Sequence, residues 1–134
     1  MPALIGLRVT ELGSNATAAW CGKLFADFGA EVVNLEPPSG DPGRRVPPFV
    51  DRGDGILESA VFAWMNTNKR SVTLGADDTR TLHAALVVSD VLIDARQAAR
   101  RDPGPTGHAV LRAAFPALDI VALVPHVIDS DHSL

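Results

Sequence analysis

The stretch from Leu7 to Pro38 constrains the fold more than any other part of the chain. Leu7, Val9 and Leu12 are β-type apolar residues, and Gly13-Ser14-Asn15 then breaks the run with turn formers. Ser14, Asn15 or Thr17 can cap the helix that follows. Cys21, Leu24, Phe25 and Phe28 recur at i, i+3, i+4 and i+7, which predicts one apolar stripe on that helix, with Lys23 and Asp27 pointing away. Gly29 stands where a left-handed C-cap belongs. Val32, Val33 and Leu35 form a short apolar run ended by Pro37-Pro38, as in a strand buried on both faces. A strand, a helix and a strand with connections this short predict a right-handed crossover between parallel strands. That is the opening unit of a Rossmann-like sheet.

The remaining chain repeats the alternation. Ser39 to Gly55 reads as a loop of about seventeen residues rich in Pro, Gly, Asp and Arg, long enough to be a flap or lid. Its Arg44, Arg45 and Arg52 are either solvated charges or anion contacts. Asp54 is placed to cap a helix lined by Leu57, Ala60, Val61 and Trp64. A polar break, Asn66 to Arg70, precedes a strand at Ser71 to Leu74. Asp77 or Asp78 caps a third helix, with Leu82, Ala85, Leu86 and Ser89 on one face. Val91-Leu92-Ile93 is a fourth strand. A fourth helix from about Thr106 uses Val110, Leu111, Ala114 and Phe115, and Ile120 to Val124 is a fifth strand. Together these predict an α/β, Rossmann-like three-layer domain, with a mainly parallel sheet of about five strands and helices on both faces. The domain is expected over residues 1–128, with 129–134 a frayed tail.

Composition narrows the function. The 134 residues suffice for one domain with a core of its own. A formal net charge of −4 argues against nucleic acid, which selects for a basic excess. No apolar run approaches the ~18 residues of a membrane span. The single cysteine, Cys21, reads as a small buried hydrophobe, and its solitude points to a reducing compartment, the cytoplasm.

In such a sheet ligands sit at the carboxyl ends of the strands. The candidate surface is therefore the turns at Gly13 to Thr17, from Pro37 onward, Leu74 to Asp77, Asp94 to Gln97 and Pro125-His126. The first turn has Gly13 alone, with Ala16 and Ala19 where a dinucleotide fingerprint has glycines, and no phosphate-loop pattern occurs. Gly22-Lys23 lies in mid-helix. The histidines pair with no Cys, Asp or Glu at metal-ligand spacing, so no metal is expected, and His126 is more readily a surface or packing residue than a base. No serine occupies a nucleophile elbow. The residues offer an anion or nucleotide cradle and no catalytic constellation.

Several blocks then carry a resemblance. They are Gly6-Leu7-Arg8-Val9-Thr10-Glu11-Leu12-Gly13; Leu24-Phe25-Ala26-Asp27-Phe28-Gly29-Ala30-Glu31-Val32-Val33-Asn34-Leu35-Glu36-Pro37-Pro38; Gly40-Asp41-Pro42 with Arg44; and Asn66-Thr67-Asn68-Lys69-Arg70-Ser71-Val72-Thr73-Leu74. In order and spacing they resemble the amino-terminal region of family III coenzyme A transferases, the group of carnitine-CoA transferase, formyl-CoA transferase and α-methylacyl-CoA racemase. Ser89 to Ile93 and Phe115 to Val121 continue the resemblance, to about residue 124. It implies coenzyme A or an acyl-CoA as substrate, with Asn15, Ala16 and Thr17 beside the diphosphate and pantetheine. Pro37, Leu74, Ala95 and Arg96 would edge the adenine and ribose, and Arg44 would reach a phosphate. It also implies interlocked chains, so a second copy or a carboxyl-terminal catalytic part is the expected partner.

The chain departs from that pattern in three turns. Thr17-Ala18-Ala19 stands for Ala-Gly-Pro, Ala95-Arg96-Gln97-Ala98 for Asn-Phe and Pro-Gly, and Pro125-His126-Val127 for a glycine-rich turn. The family's catalytic aspartate lies further downstream, and Asp129 and Asp131 stand in no matching motif. No catalytic residue is therefore assigned. Two readings follow: the CoA-binding amino-terminal domain of a family III transferase or racemase, inactive alone, or a degenerate relative serving as a binding or assembly module. Lys69 and Arg70 either belong to that site or tie loop and strand through Glu36 or Asp41.

Overall fold

A computed structural model describes residues 1–97 and 104–123. Strands β1 (Arg8–Leu12), β2 (Glu31–Glu36), β5 (Lys69–Thr73), β6 (Val91–Asp94) and β7 (Asp119–Ala122) form one sheet in the order β5-β2-β1-β6-β7, every pairing parallel. The fold is α/β with helices on both faces. The order reverses between β1 and β6, because the chain leaves β1 towards β2 and returns past it to β6. Their carboxyl ends are the switch point of the sheet.

Strand alternation assigns the two cores. On one face Val9, Val32 and Ile93 pack with Ala18, Ala26 and Ala30, under helix α1 (Ala16–Asp27). On the other, Leu12, Leu35 and Leu92 pack with Leu82, Leu86 and Leu111 of α3 (Thr79–Leu86) and α4 (His108–Ala114). Pro42–Arg45 is a 3-10 turn, β3 (Phe49–Asp51) and β4 (Leu57–Ser59) pair as an antiparallel hairpin, and α2 (Ala60–Met65) follows directly.

Three local expectations are corrected. The stretch after Pro38 is not one loop, because it holds the 3-10 turn and the hairpin. The second helix begins at Ala60, capped by Ser59 Oγ accepting from Phe62 N at 3.1 Å; Asp54 instead accepts from Ile56 N inside the hairpin turn, and Leu57 lies on β4. The α1 stripe is rotated: Ala18, Gly22, Lys23 and Ala26 are buried, whereas Leu24 and Phe28 are 42% and 57% exposed. The reason lies beneath the helix. Glu11 projects from β1 on that face, and a Cβ at Gly22 would stand 1.3 Å from Glu11 Oε1. Only small residues let α1 approach a sheet carrying a carboxylate there. Residues 98–103 and 124–134 lie outside the described residues, and with them the Pro125-His126 turn, Asp129, Asp131 and the expected boundary at residue 128.

Candidate functional site at the carboxyl edge of the sheet

The turn after β1 begins at Gly13, with φ +92°, a conformation L side chains rarely adopt. A Cβ there would come within 2.6 Å of Arg96 N and 2.7 Å of Ala95 C, so glycine is what lets the β1 and β6 turns touch. Asn15 is the N-cap of α1: Oδ1 accepts from Ala18 N at 2.8 Å, and Nδ2 donates to Ala95 O at 3.4 Å. The N–H groups of Ala16 and Thr17 point out of the first turn of a twelve-residue helix with no acid in that turn, a setting that favours an anion. Asn15, Ala16, Thr17, Ala95 and Arg96 are thereby brought into one mouth. Pro37 and Leu74 follow β2 and β5 directly at the same edge, where Leu74 N donates to Glu36 O at 2.7 Å and Leu74 packs on the core.

Both arginines of the expected site are held by carboxylates. Arg44 Nε and Nη2 donate to the two oxygens of Glu36 at 2.8 and 2.6 Å, and its guanidinium lies 4.2 Å from the Phe62 ring centroid. Glu36 also accepts from Ser71 Oγ and Asp41 N. The Arg44 hydrogen bonds, aided by these donors, overcome burial and hold the Glu36 carboxyl down at about 2. Arg96 donates through Nε and Nη2 to Asp94, and through Nη1 and Nη2 to Thr106 Oγ1 and O. Asp94 is fully buried and also meets His108 Nε2 at 2.8 Å. Burial pushes its carboxyl up, but Arg96 and His108 together outweigh that and hold it below the ordinary range. The sequence offers Glu36 and Lys69 as ties and Asp94 as a turn residue, but the reading of apolar strands misses Glu11 buried beneath α1. The available signal was a charge inside the strand run.

Lys69 pairs with Glu11 at 2.7 Å, each side chain 2% exposed, and not with Glu36 or Asp41, while Arg70 is exposed and makes no ion pair among the described residues. Burial pushes the Glu11 carboxyl up to about 7, with Lys69 countering only part of that cost. A cleft of about 270 Å³ opens beside the mouth, with Asn15, Ala16 and Ala19 on the α1 side and Val61, Phe62 and Asn66 on the α2 side. A second hollow of about 560 Å³ lies over β2 and β5, against Arg44, Arg52 and Arg70. Among the described residues, no three His, Cys, Asp or Glu side chains are grouped to hold a metal, and no helix is long and apolar enough to cross a membrane.

The chain is 37% identical over 121 residues to the succinyl-CoA:mesaconate CoA-transferase of Haloarcula marismortui, covering 88% of this chain and 31% of that protein. It is 40% identical over 74 residues to the succinate–glutarate CoA-transferase of Agrobacterium fabrum, covering 53% of this chain and 18% of that one. The crystal structure of a CAIB/BAIF family protein from Brucella suis superposes with a TM-score of 0.80 at 30% identity, covering 90% of this chain and 32% of that chain. A Mycobacterium tuberculosis protein superposes with a TM-score of 0.80 at 24% identity, a likeness of fold. The chain thus spans about a third of the first of these relatives. The model of CoA-transferase family III matches residues 4–124, and the chain belongs to that family.

Proposed function

We propose that this chain is the coenzyme A-binding part of a family III acyl-CoA transferase or racemase, with its catalytic aspartate outside residues 1–134. The observation that carries the reading is the seating of the Gly13–Thr17 turn on Ala95 and Arg96 at the switch point. There the Ala16 and Thr17 N–H groups would meet the diphosphate, and Asn15 would orient the pantetheine. Pro37, Leu74 and Ala95 would edge the adenine and ribose. Arg96 would contribute mainly its backbone and the outer face of its guanidinium, since Asp94 and Thr106 take its donors. Arg44 would shape the site through Glu36 rather than reach a phosphate.

The partner is a second copy or a carboxyl-terminal catalytic part, and it would cover the exposed Ile56, Leu57, Phe28 and Trp64. The second reading, a non-catalytic binding or assembly module in the cytoplasm, is favoured by the two arginines being engaged by carboxylates. Calorimetric titration with free coenzyme A, with NAD as control, separates them. A Kd of about 100 μM or tighter for CoA alone is expected, and no binding moves the assembly role ahead. Residues 1–134 alone are expected to turn over no acyl-CoA with a carboxylate acceptor, and measurable turnover overturns that.

A further inference from the structure

Lys69 Nζ joins three elements from inside the protein. It donates to Ala19 O of α1 at 2.7 Å and to Asn66 Oδ1, just past α2, at 3.1 Å, and it meets Glu11 Oε1 of β1 at 2.7 Å. Ala19 and Asn66 stand on the α1 and α2 sides of the cleft that opens at Asn15. Their neighbours Trp20 and Trp64 stack with ring centroids 5.3 Å apart, so the same two elements touch again outside the cleft. The contact to Glu11 is an ion pair at 2.7 Å, and its attraction opposes the effect of burial on that carboxyl. Among the described residues Glu11 is the carboxylate that pairs with this buried ammonium, set against Gly22 with no room for a side chain between.

We infer that Lys69 and Glu11 are a positioning pair, in which the ammonium sets the spacing of α1 and α2 and the cleft follows the protonation of Glu11. With Glu11 ionised, the carboxylate anchors the ammonium on β1 and so holds Ala19 and Asn66 at a fixed spacing. With Glu11 protonated, the ammonium is left on two neutral acceptors and the walls relax. The ligand half of this inference rests on the reading of the cleft mouth as a CoA site.

Burial places the Glu11 titration near neutrality. Other ionisable groups surround it. Cys21 on α1 is pushed above its ordinary value by burial and by Glu11 itself. Asp41 faces it from the 3-10 turn and raises it, Lys23 and Asp27 of α1 pair with each other at 2.8 Å, and Glu36 on β2 stays ionised down to about 2. His83 and His108 belong to the helices of the opposite face.

The molecule carries its own reporter, because Trp20 and Trp64 are its two tryptophans. Tryptophan emission of the 134-residue chain, followed from about pH 5.5 to 8.5 around that expected midpoint, should shift with a midpoint matching the carbon-13 titration of the Glu11 carboxyl. Glu11→Gln should be flat. Free CoA should bind the wild type about fivefold tighter at the upper end than at the lower, relative to Glu11→Gln, the low end of ordinary allosteric couplings. A flat emission while the Glu11 carboxyl titrates, midpoints that differ by about one pH unit or more, or a shift surviving in Glu11→Gln each overturns the inference. The wild-type comparison of midpoints needs no variant to fold. An emission shift as expected with no CoA binding at any pH supports the positioning pair and overturns the CoA reading.

Discussion

At the residue scale Gly13 is the most sensitive position of the mouth. Gly13→Ala forces a Cβ to 2.6 Å from Arg96 N at a φ of +92°. It should cost about 2 kcal/mol or more in chemical denaturation. Gly53→Ala has the same sign of φ with nothing within 4 Å and should cost about 1 kcal/mol. Equal losses would mean the contact between the two turns carries no weight. Asn15→Ala removes a cap and should cost about 1 kcal/mol in the same assay. Asn15 was legible in the sequence as one of three caps, because turn formers before an apolar period say that a helix starts nearby. Which of Ser14, Asn15 and Thr17 takes the role depends on where the backbone leaves β1, and the contact with Ala95 comes from a turn 80 residues away.

At the element scale the two helices of the α1 face explain what periodicity misses. A stripe of large apolar residues normally marks the buried side of a helix, yet Phe28 and Leu24 lie outward here because the sheet below carries Glu11. Helix α2 has six residues, too short for a stripe to reveal it, and the hairpin before it has its own turn chemistry. The cap assignment is testable: Ser59→Ala should cost about 1 kcal/mol and Asp54→Ala within about 0.5 kcal/mol, as for an exposed turn residue. The reverse order, measured by urea midpoint, would restore a helix beginning at Asp54. The five parallel strands were legible, since apolar runs separated by helical periods leave few alternatives. The strand order followed only from the register, β1 lying between β2 and β6.

At the scale of the whole molecule two buried carboxylates pull stability in opposite directions with pH. Glu36 is held down near 2 by Arg44, so its contribution is present above the ordinary 4.5 and lost as pH falls through 2. Glu11 is raised to about 7 by burial, so the native state holds its proton more tightly, and its contribution is full below 4.5 and lost as pH rises through 7. Wild-type stability should therefore decline between pH 4.5 and 7 by an amount of the order of 3 kcal/mol at most, and Glu11→Gln should remove that decline. Urea midpoints at closely spaced pH values decide it, and a rise across that interval in the wild type, absent from Glu11→Gln, would reverse the sign.

By itself the sequence determined the alternation of strands and helices, the parallel sheet and the family. Those features depend on local periodicity, turn chemistry and blocks read in order along the chain. Only the tertiary structure decided which charges face each other. The pairing of Glu11 with Lys69, of Glu36 with Arg44, and of Asp94 with Arg96 and His108 depends on strand register and on which face each residue takes. Three of these four pairs, Asp94–Arg96 excepted, join residues from different elements, and in each a charge is buried that a one-dimensional reading leaves in solvent.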